Sequence, residues 1–572
     1  MTEATLARTA ASTKQEFLTG ALWGVVAGRR AIDIDATIED FCVELHNAGE
    51  IDFLDGIDQP AFEALKQYAR WQAYAFIGRV TPRLVSTWDE MARFAVRAIA
   101  RTSDGNVYEI HQPFLAWLTT NPAEATRGVA LAEAGELHEP WLLERALVAL
   151  ADPALSRRLA GAYEDSRRLS ALTALARLDH PSPSDRRASL DLGRSLLAQT
   201  SSPEVAAAVA RLVLDGLPRP DPVLDDDALA LLDSALTQGE DAGLAQAAFA
   251  LCTASVEVLT PAVVAVLLRH LSRVTADQTD IVGNLELGLG KLSRWDRSEE
   301  VFAFIHDVVT SDENGLALEA FDDVFASVFM GPADAAHPIV LAWLEEGRQE
   351  LCSGLVDLFQ RYSRASTPLT IDFPAHGYSD QQIWFICRRA IGYFLIHEVV
   401  AASIVVSALR SAPTDLAEAL TDLLADPLLM NYQMELRPYL DAIGDDDPAQ
   451  PFVQTAIKRS DAYRDGLSDR DIPELRPPEA HLQSAYILRS EQFASASREA
   501  RKRSVLADLV HTQTLLYGKR TLSYMTGPDG KRRMFENQLA SFGYRSELPR
   551  QEVLDPVALA MQNYQLRHGE PR

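Results

Sequence analysis

The feature that most limits what this chain can fold into is a row of short amphipathic segments, from about Leu137 to Tyr362, separated by proline- and aspartate-rich turns. Val205, Val209, Leu212 and Val213 fall at i, i+4, i+7 and i+8, one stripe of a helix. Val264, Leu267, Leu268 and Leu271 repeat the pattern, and Leu172, Leu175 and Ala176 make a narrower one. Between the stripes stand Asp152-Pro153, Pro181-Ser182-Pro183, Ser202-Pro203, Pro218 to Pro222 and Thr260-Pro261. Asp, Ser or Thr before proline is a helix-start signal. The side-chain oxygen caps free N–H groups, and proline in the first turn lacks an N–H that would be orphaned anyway. Helices this short are not stable alone, so each must bury its stripe on its neighbours, and stacking in chain order is the simplest way to do so.

Leu/Ala/Val-rich stretches such as Ala206-Ala207-Ala208-Val209-Ala210-Arg211-Leu212, with the breakers between them, resemble HEAT or armadillo-type helical repeats. The resemblance implies an all-α fold, an irregular α-solenoid. We divide the chain into a helical N-terminal cap over 1–120, a HEAT-like array over 121–366, an apolar helical unit over 367–478 and a basic C-terminal module over 479–572. The N-terminal unit is dense in aromatics, Phe62, Tyr68, Trp71, Tyr74, Phe76, Trp88, Phe94, Phe114 and Trp117, which read as a capping core or as a groove for a partner peptide. The turn Thr102-Ser103-Asp104-Gly105-Asn106 ends it.

The 572 residues carry a formal net charge of −27, which argues against uniform binding of nucleic acid. Lysine is confined to Lys14, Lys66, Lys291, Lys458, Lys502, Lys519 and Lys531, and all other basic residues are arginine. With abundant Ala, Leu and Asp, this bias points to a GC-rich bacterial genome. Cys42, Cys252, Cys352 and Cys387 are far apart and lack metal-ligand spacing, so they read as small core residues in a reducing cytoplasm. The start of the chain lacks a basic-then-apolar leader pattern. The most apolar segment, Ile383 to Leu409, is broken by Arg388, Arg389, His397 and Glu398 and reads as a buried helix pair rather than a membrane span.

Searches for catalytic motifs fail on their physical requirements. Asp33-Ile34-Asp35-Ala36-Thr37 matches the Asp-x-Asp-x-Thr pattern of haloacid-dehalogenase-like phosphatases, whose first Asp is a nucleophile at the end of a buried strand. Arg29 and Arg30 stand where that apolar strand is needed. The simpler reading is a helix start with Thr37 as its cap and Asp40 at the third helical position. Gly288-Leu289-Gly290-Lys291 resembles part of a phosphate-binding loop without its spacing. His138-Glu139 and His397-Glu398 lack the second His of a zinc-protease helix. No catalytic residue, metal ligand or cofactor is assigned. The loop from Thr367 to Tyr378 holds Asp372 and His376 and leads to Asp380, metal-compatible side chains that would have to converge there. Glu398, in an apolar helix, needs a counter-charge if buried, and Arg388 or Arg389 is the expected partner.

Charge is unevenly laid out. From Asp221 to Gly331 there are 20 acidic against 5 basic residues, a net of −15. From Ser495 to Arg550 there are 11 basic against 5 acidic, a net of +6, so the remainder of the chain carries −33. The candidate nucleic-acid-binding residues are Arg498, Arg501, Lys502, Arg503, Lys519, Arg520, Tyr524, Lys531, Arg532, Arg533 and Phe535. Gly518 is expected to end the first helix of this module, and Gly527-Pro528-Asp529-Gly530 to turn a β-hairpin. Basic residues interleaved with Tyr524, Phe535, Phe542 and Tyr544 suit phosphate contact with base stacking, and suit equally an acidic protein surface.

The expected function is therefore a non-enzymatic helical-repeat scaffold of a multi-protein bacterial complex, with its basic C-terminal module touching nucleic acid. Its general architecture is similar to that of helical accessory subunits of bacterial anti-phage defence systems, a likeness that implies a DNA-binding accessory role. Two alternatives stay open: a pure protein–protein scaffold or regulator, and an enzyme with a site near Asp372, His376 and Glu398. Protein partners, a cytoplasmic location and no membrane insertion are expected, with the oligomeric state left open.

Overall fold

The computed structural model describes residues 9–27, 36–101, 108–137, 139–163, 166–216, 222–295, 297–332, 334–362, 367–468, 478–503, 520–526, 532–538, 547 and 549–569. The chain divides into two compact units, Met1–Ser327 and Val328–Arg572.

In the first unit the proline signals mark helix starts as the sequence pattern predicts. Helices Pro140–Leu150, Pro153–Ala162, Pro183–Gln199, Pro203–Gly216, Pro222–Gln238 and Pro261–Leu271 all open on proline. The Asp152 carboxylate accepts from the N–H groups of Ala154 and Leu155. The Ser182, Ser202 and Thr260 hydroxyls accept from Asp185, Val205 and Val263 in the same way. Side chains thus satisfy donors that the helix geometry leaves open. The stripes are buried: Val205, Val209, Leu212 and Val213 on one helix, Val264, Leu267, Leu268 and Leu271 on another.

These helices stack in two rows. Pro140–Leu150, Ser166–Arg177, Pro203–Gly216, Glu240–Thr253 and Thr279–Arg294 pack successively in one row. Pro153–Ala162, Pro183–Gln199, Pro222–Gln238 and Pro261–Leu271 pack in the other. This is a helical solenoid, in which each pair covers the next. Gly288 of Thr279–Arg294 lies against Leu251 of Glu240–Thr253, and a Cβ there would sit 2.8 Å from Leu251 Cγ and 3.0 Å from its backbone carbon. That explains the glycine of the Gly288–Lys291 stretch, which lies within a helix. Lys291 donates to the Cys252 and Ala254 carbonyls at the end of the neighbouring helix.

Several side-chain bonds between neighbouring helix pairs span 36 to 39 residues of chain. Lys14 to Glu50 spans 36 residues, Arg127 to Asp89 38, Arg186 to Asp225 39 and Arg269 to Asp233 36. In the second unit, Gln382 to Glu345 and Arg410 to Asp447 each span 37, as does the Arg459–Asp422 pair. These pairs match the 37 to 39 residues between the starts, Ser166, Pro203, Glu240 and Thr279, of successive stacked helices, whereas Arg158–Glu133 and Arg157–Asp185 span 25 and 28, so the repeat is irregular.

The N-terminal aromatics form core. Phe62, Tyr74, Phe76, Trp88, Phe94, Phe114 and Trp117 are buried, and Trp71 is the partly exposed exception among those whose side chains are described. Trp23 meets Phe62 edge to face at 5.0 Å, and Phe62 meets Tyr74 at 5.4 Å. Helix Ala36–Asn47 already includes Thr37, so Thr37 lies in its first turn and is not its cap. Asp40, on that helix, pairs with Arg83 at 2.6 Å. Arg29, Arg30, Asp33, Ile34, Asp35, His138 and the Thr102–Asn106 turn lie outside the described residues.

In the second unit the connector after Thr367 is extended. It runs along helix Glu398–Leu409, whose buried Ser403 and Ser407 hydroxyls accept from the N–H groups of Leu369 and Ile371. That helix is buried nearly all round, as its unbroken apolar sequence requires. No helix among the described residues is long and apolar enough to cross a membrane. The four cysteines are free, and burial pushes the Cys352 thiol up to about 12.

Candidate nucleic-acid and partner interface

The basic residues singled out in the sequence fall on an arm between two anchored segments of the second unit. On one side, helix Gln450–Ser468 packs into the body. On the other, helix Pro556–His568 packs on Asp380–Tyr393. Arg388 donates to the Gln565 carbonyl at 2.6 Å and to the Gly569 carbonyl at 3.2 Å. Arg567 returns a bond to the Gly392 carbonyl at 2.7 Å and lies 4.6 Å over the Tyr393 ring. The Glu547 carboxylate accepts from three successive backbone N–H groups, Gln433, Met434 and Glu435. Asn431 accepts from the Gln551 N–H and donates to the Pro427 carbonyl.

The arm begins with helix Glu479–Arg503, which has neither proline nor glycine inside it. Glu479 opens its first turn, and Arg498, Arg501, Lys502 and Arg503 fall in its last described residues. Tyr486, Ile487, Leu488 and Phe493 are exposed, at 74%, 56%, 57% and 77%. Arg498 is exposed and donates to the Ala494 carbonyl of its own helix at 3.1 Å. Strands Arg520–Thr526 and Arg532–Gln538 pair antiparallel, with Thr526 opposite Arg532, Met525 opposite Arg533, and Ser523 opposite Phe535. Arg520 and Tyr524 thus lie on one strand, and Arg532, Arg533 and Phe535 on the other. Lys519, Lys531, Gly518, Phe542, Tyr544 and the Gly527–Gly530 turn lie outside the described residues.

The residues named for the enzyme alternative sit in different environments. Asp372 precedes the short helix Phe373–His376, and His376 and Asp380 are exposed, whereas Glu398 is buried. No group of three His, Cys, Asp or Glu side chains suited to a metal occurs among the described residues. The expected pairing of Glu398 with Arg388 or Arg389 is corrected. Arg388 serves the C-terminal helix, and Arg389 donates to the Leu344 and Glu345 carbonyls. Backbone carbonyls far along the chain have taken both guanidinium groups. Burial pushes the Glu398 carboxyl up, a hydrogen bond from its own backbone N–H opposes that, and the Glu547 and Glu435 charges add to the upward push. The buried His397 imidazole is pushed down by desolvation.

One half-buried polar group went unnoticed in the sequence. His111 accepts at Nδ1 from Arg145 at 2.9 Å and stacks on Trp141 at 4.5 Å. Burial, with the Arg145 and Arg177 charges beside it, pushes the imidazole down to about 4. No protein-family model matches the chain, and no curated protein matches it.

Proposed function

We propose that this chain is a non-enzymatic, HEAT-like scaffold whose C-terminal arm contacts nucleic acid as part of a multi-protein complex. The observation that carries the reading is the Glu479–Arg503 helix: exposed aromatics, Tyr486 and Phe493, ahead of a final run of Arg498, Arg501, Lys502 and Arg503. Stacking surfaces beside cations suit single strands, and cations alone suit any phosphate backbone. The charge of the stacked helices supports a local contact. Several of their arginines are engaged by carboxylates of neighbouring pairs, as in Arg127–Asp89, Arg269–Asp233 and Arg410–Asp447. A role as an accessory subunit of a defence complex belongs to the same proposal and rests on architecture alone.

The exposed apolar side chains favour a second reading, a protein-docking arm with no nucleic acid. Fluorescence anisotropy separates the two, using labelled single- and double-stranded oligonucleotides at two salt concentrations. Intact protein should bind at low salt. Replacing Lys531, Arg532 and Arg533 by Ala should weaken binding regardless of sequence and flatten the salt slope by roughly two to three units. No binding at low salt, or equal binding by the triple variant, leaves the protein-docking reading.

A further inference from the structure

Helix Pro556–His568 has two apolar faces, and the body of the second unit covers one of them. Leu559, Asn563 and Leu566 are buried where the helix packs on Asp380–Tyr393. At about 100° per residue, Val557, Met561 and Tyr564 fall on the opposite side. They are 68%, 61% and 67% exposed. His568 continues the stripe, with its ring 4.8 Å from that of Tyr564.

A surface helix ordinarily turns charged side chains to solvent. This one has no Asp, Glu, Lys or Arg from Pro556 to Leu566. Its charges stand at the two ends. Glu552 and Asp555 precede it, and Arg567 and His568 close it. Asp555 caps the helix by accepting from the Ala558 N–H through Oδ1. Arg567 gives Nε to the Gly392 carbonyl, a neutral acceptor that leaves its charge uncompensated. No described side chain forms an ion pair with Glu552, Asp555 or Arg567.

We propose that this face joins two copies of the chain, their Pro556–His568 helices antiparallel about a twofold axis near Met561. Antiparallel pairing lays Val557 of one copy beside Tyr564 of the other. It also brings the end carrying Glu552 and Asp555 to the end carrying Arg567 and His568. The stripe is thus self-complementary in charge as well as apolar, the condition for an isologous contact. A parallel pair would set like charge on like. An exposed stripe of this length amounts to a few hundred Å² per copy. A symmetric pair buries it twice, at the low end for a specific interface, so the association is expected to be reversible and in the micromolar range. The face lies outside the arm, so this proposal rests on no part of the nucleic-acid reading.

The test is sedimentation velocity of the full chain from about 1 μM to about 100 μM, a span that brackets such an affinity. The sedimentation coefficient should rise with concentration toward that of a dimer. M561E sets two carboxylates face to face at the axis and should weaken association at least about tenfold. Y486S with F493S, on the arm, should leave association within about twofold. M561C should form a disulfide-linked dimer under copper phenanthroline faster than D312C, at an exposed position of the first unit, because residues near a twofold axis meet their own copies. That comparison decides the matter if M561E fails to fold. A monomer at every concentration, association of M561E equal to that of the parent, loss of association in the arm variant, or crosslinking of M561C no faster than that of D312C overturns the proposal.

Discussion

Two helices of this chain carry apolar residues at helical spacing and meet opposite fates. In Pro203–Gly216 the stripe Val205, Val209, Leu212 and Val213 is buried against the helices on either side. In Glu479–Arg503, Tyr486 and Phe493 stand seven residues apart on the same stripe, and both are exposed. The pattern of a stripe therefore marks a surface that must be covered, and says nothing of what covers it. In the first helix the cover is the next helix pair of the same chain. The second has no such neighbour packed along it among the described residues.

The sharpest way to break that contrast is a charge placed in each stripe. Leu212 is 3% exposed and Leu267 0%. Asp at either site is an uncompensated buried charge, and the loss should exceed about 3 kcal/mol. Urea unfolding curves for L212D and L267D should shift far to lower midpoint, or the first unit should fail to fold. Curves that overlay the parent would show that the stripe is not core.

A smaller effect should appear with pH. His111 is held near 4 in the folded state against an ordinary value of 6.5, with Arg145 and Arg177 beside it and Trp141 stacked on it. The unfolded chain takes up the proton first, so stability contributed by the neutral ring is complete above about 6.5 and falls as pH drops toward about 4. The full shift would be about 3 kcal/mol, and solvent screening of the half-buried ring reduces the expected loss to roughly 1–2 kcal/mol. Denaturation at pH 7 and pH 4.5 should show this loss in the parent. H111Q keeps an acceptor for Arg145 and should lose that part of the slope. An unchanged slope would mean that the imidazole is charged, or solvated, in the folded chain.

What could be read from the sequence was local. The Asp, Ser and Thr caps before proline and the period of the stripes depend on residues within one turn, and the structure keeps them. The two-helix period was hidden because no fixed proline spacing carries it. It is carried by pairs such as Arg269–Asp233, whose members are individually ordinary. Arg388 and Arg389 were misassigned to Glu398 for a related reason. Their acceptors are backbone carbonyls, which leave no mark in a sequence, at 177 residues for Gln565 and 44 for Glu345. The density of Trp, Phe and Tyr in the N-terminal region was visible, and burial decides for the core over the aromatic groove.

The smallest expected effect completes the contrast. Tyr486 and Phe493 are more than two-thirds exposed, so the folded chain removes little of their apolar surface from water. Burial is worth about 25 cal/mol per Å², and a side chain left in solvent gains almost none of it. Replacing both by Ser should therefore change the unfolding free energy of the isolated protein by less than about 0.5 kcal/mol, while the equivalent change at Val209 and Leu212 should be severe. Far-ultraviolet circular dichroism should fall slightly, since Ser is a modest helix former with no cover to compensate. If the double Ser variant lost stability comparable to L212D, the stripe would be covered within the chain, and the arm would be a folded part of the body rather than a surface held ready for another molecule.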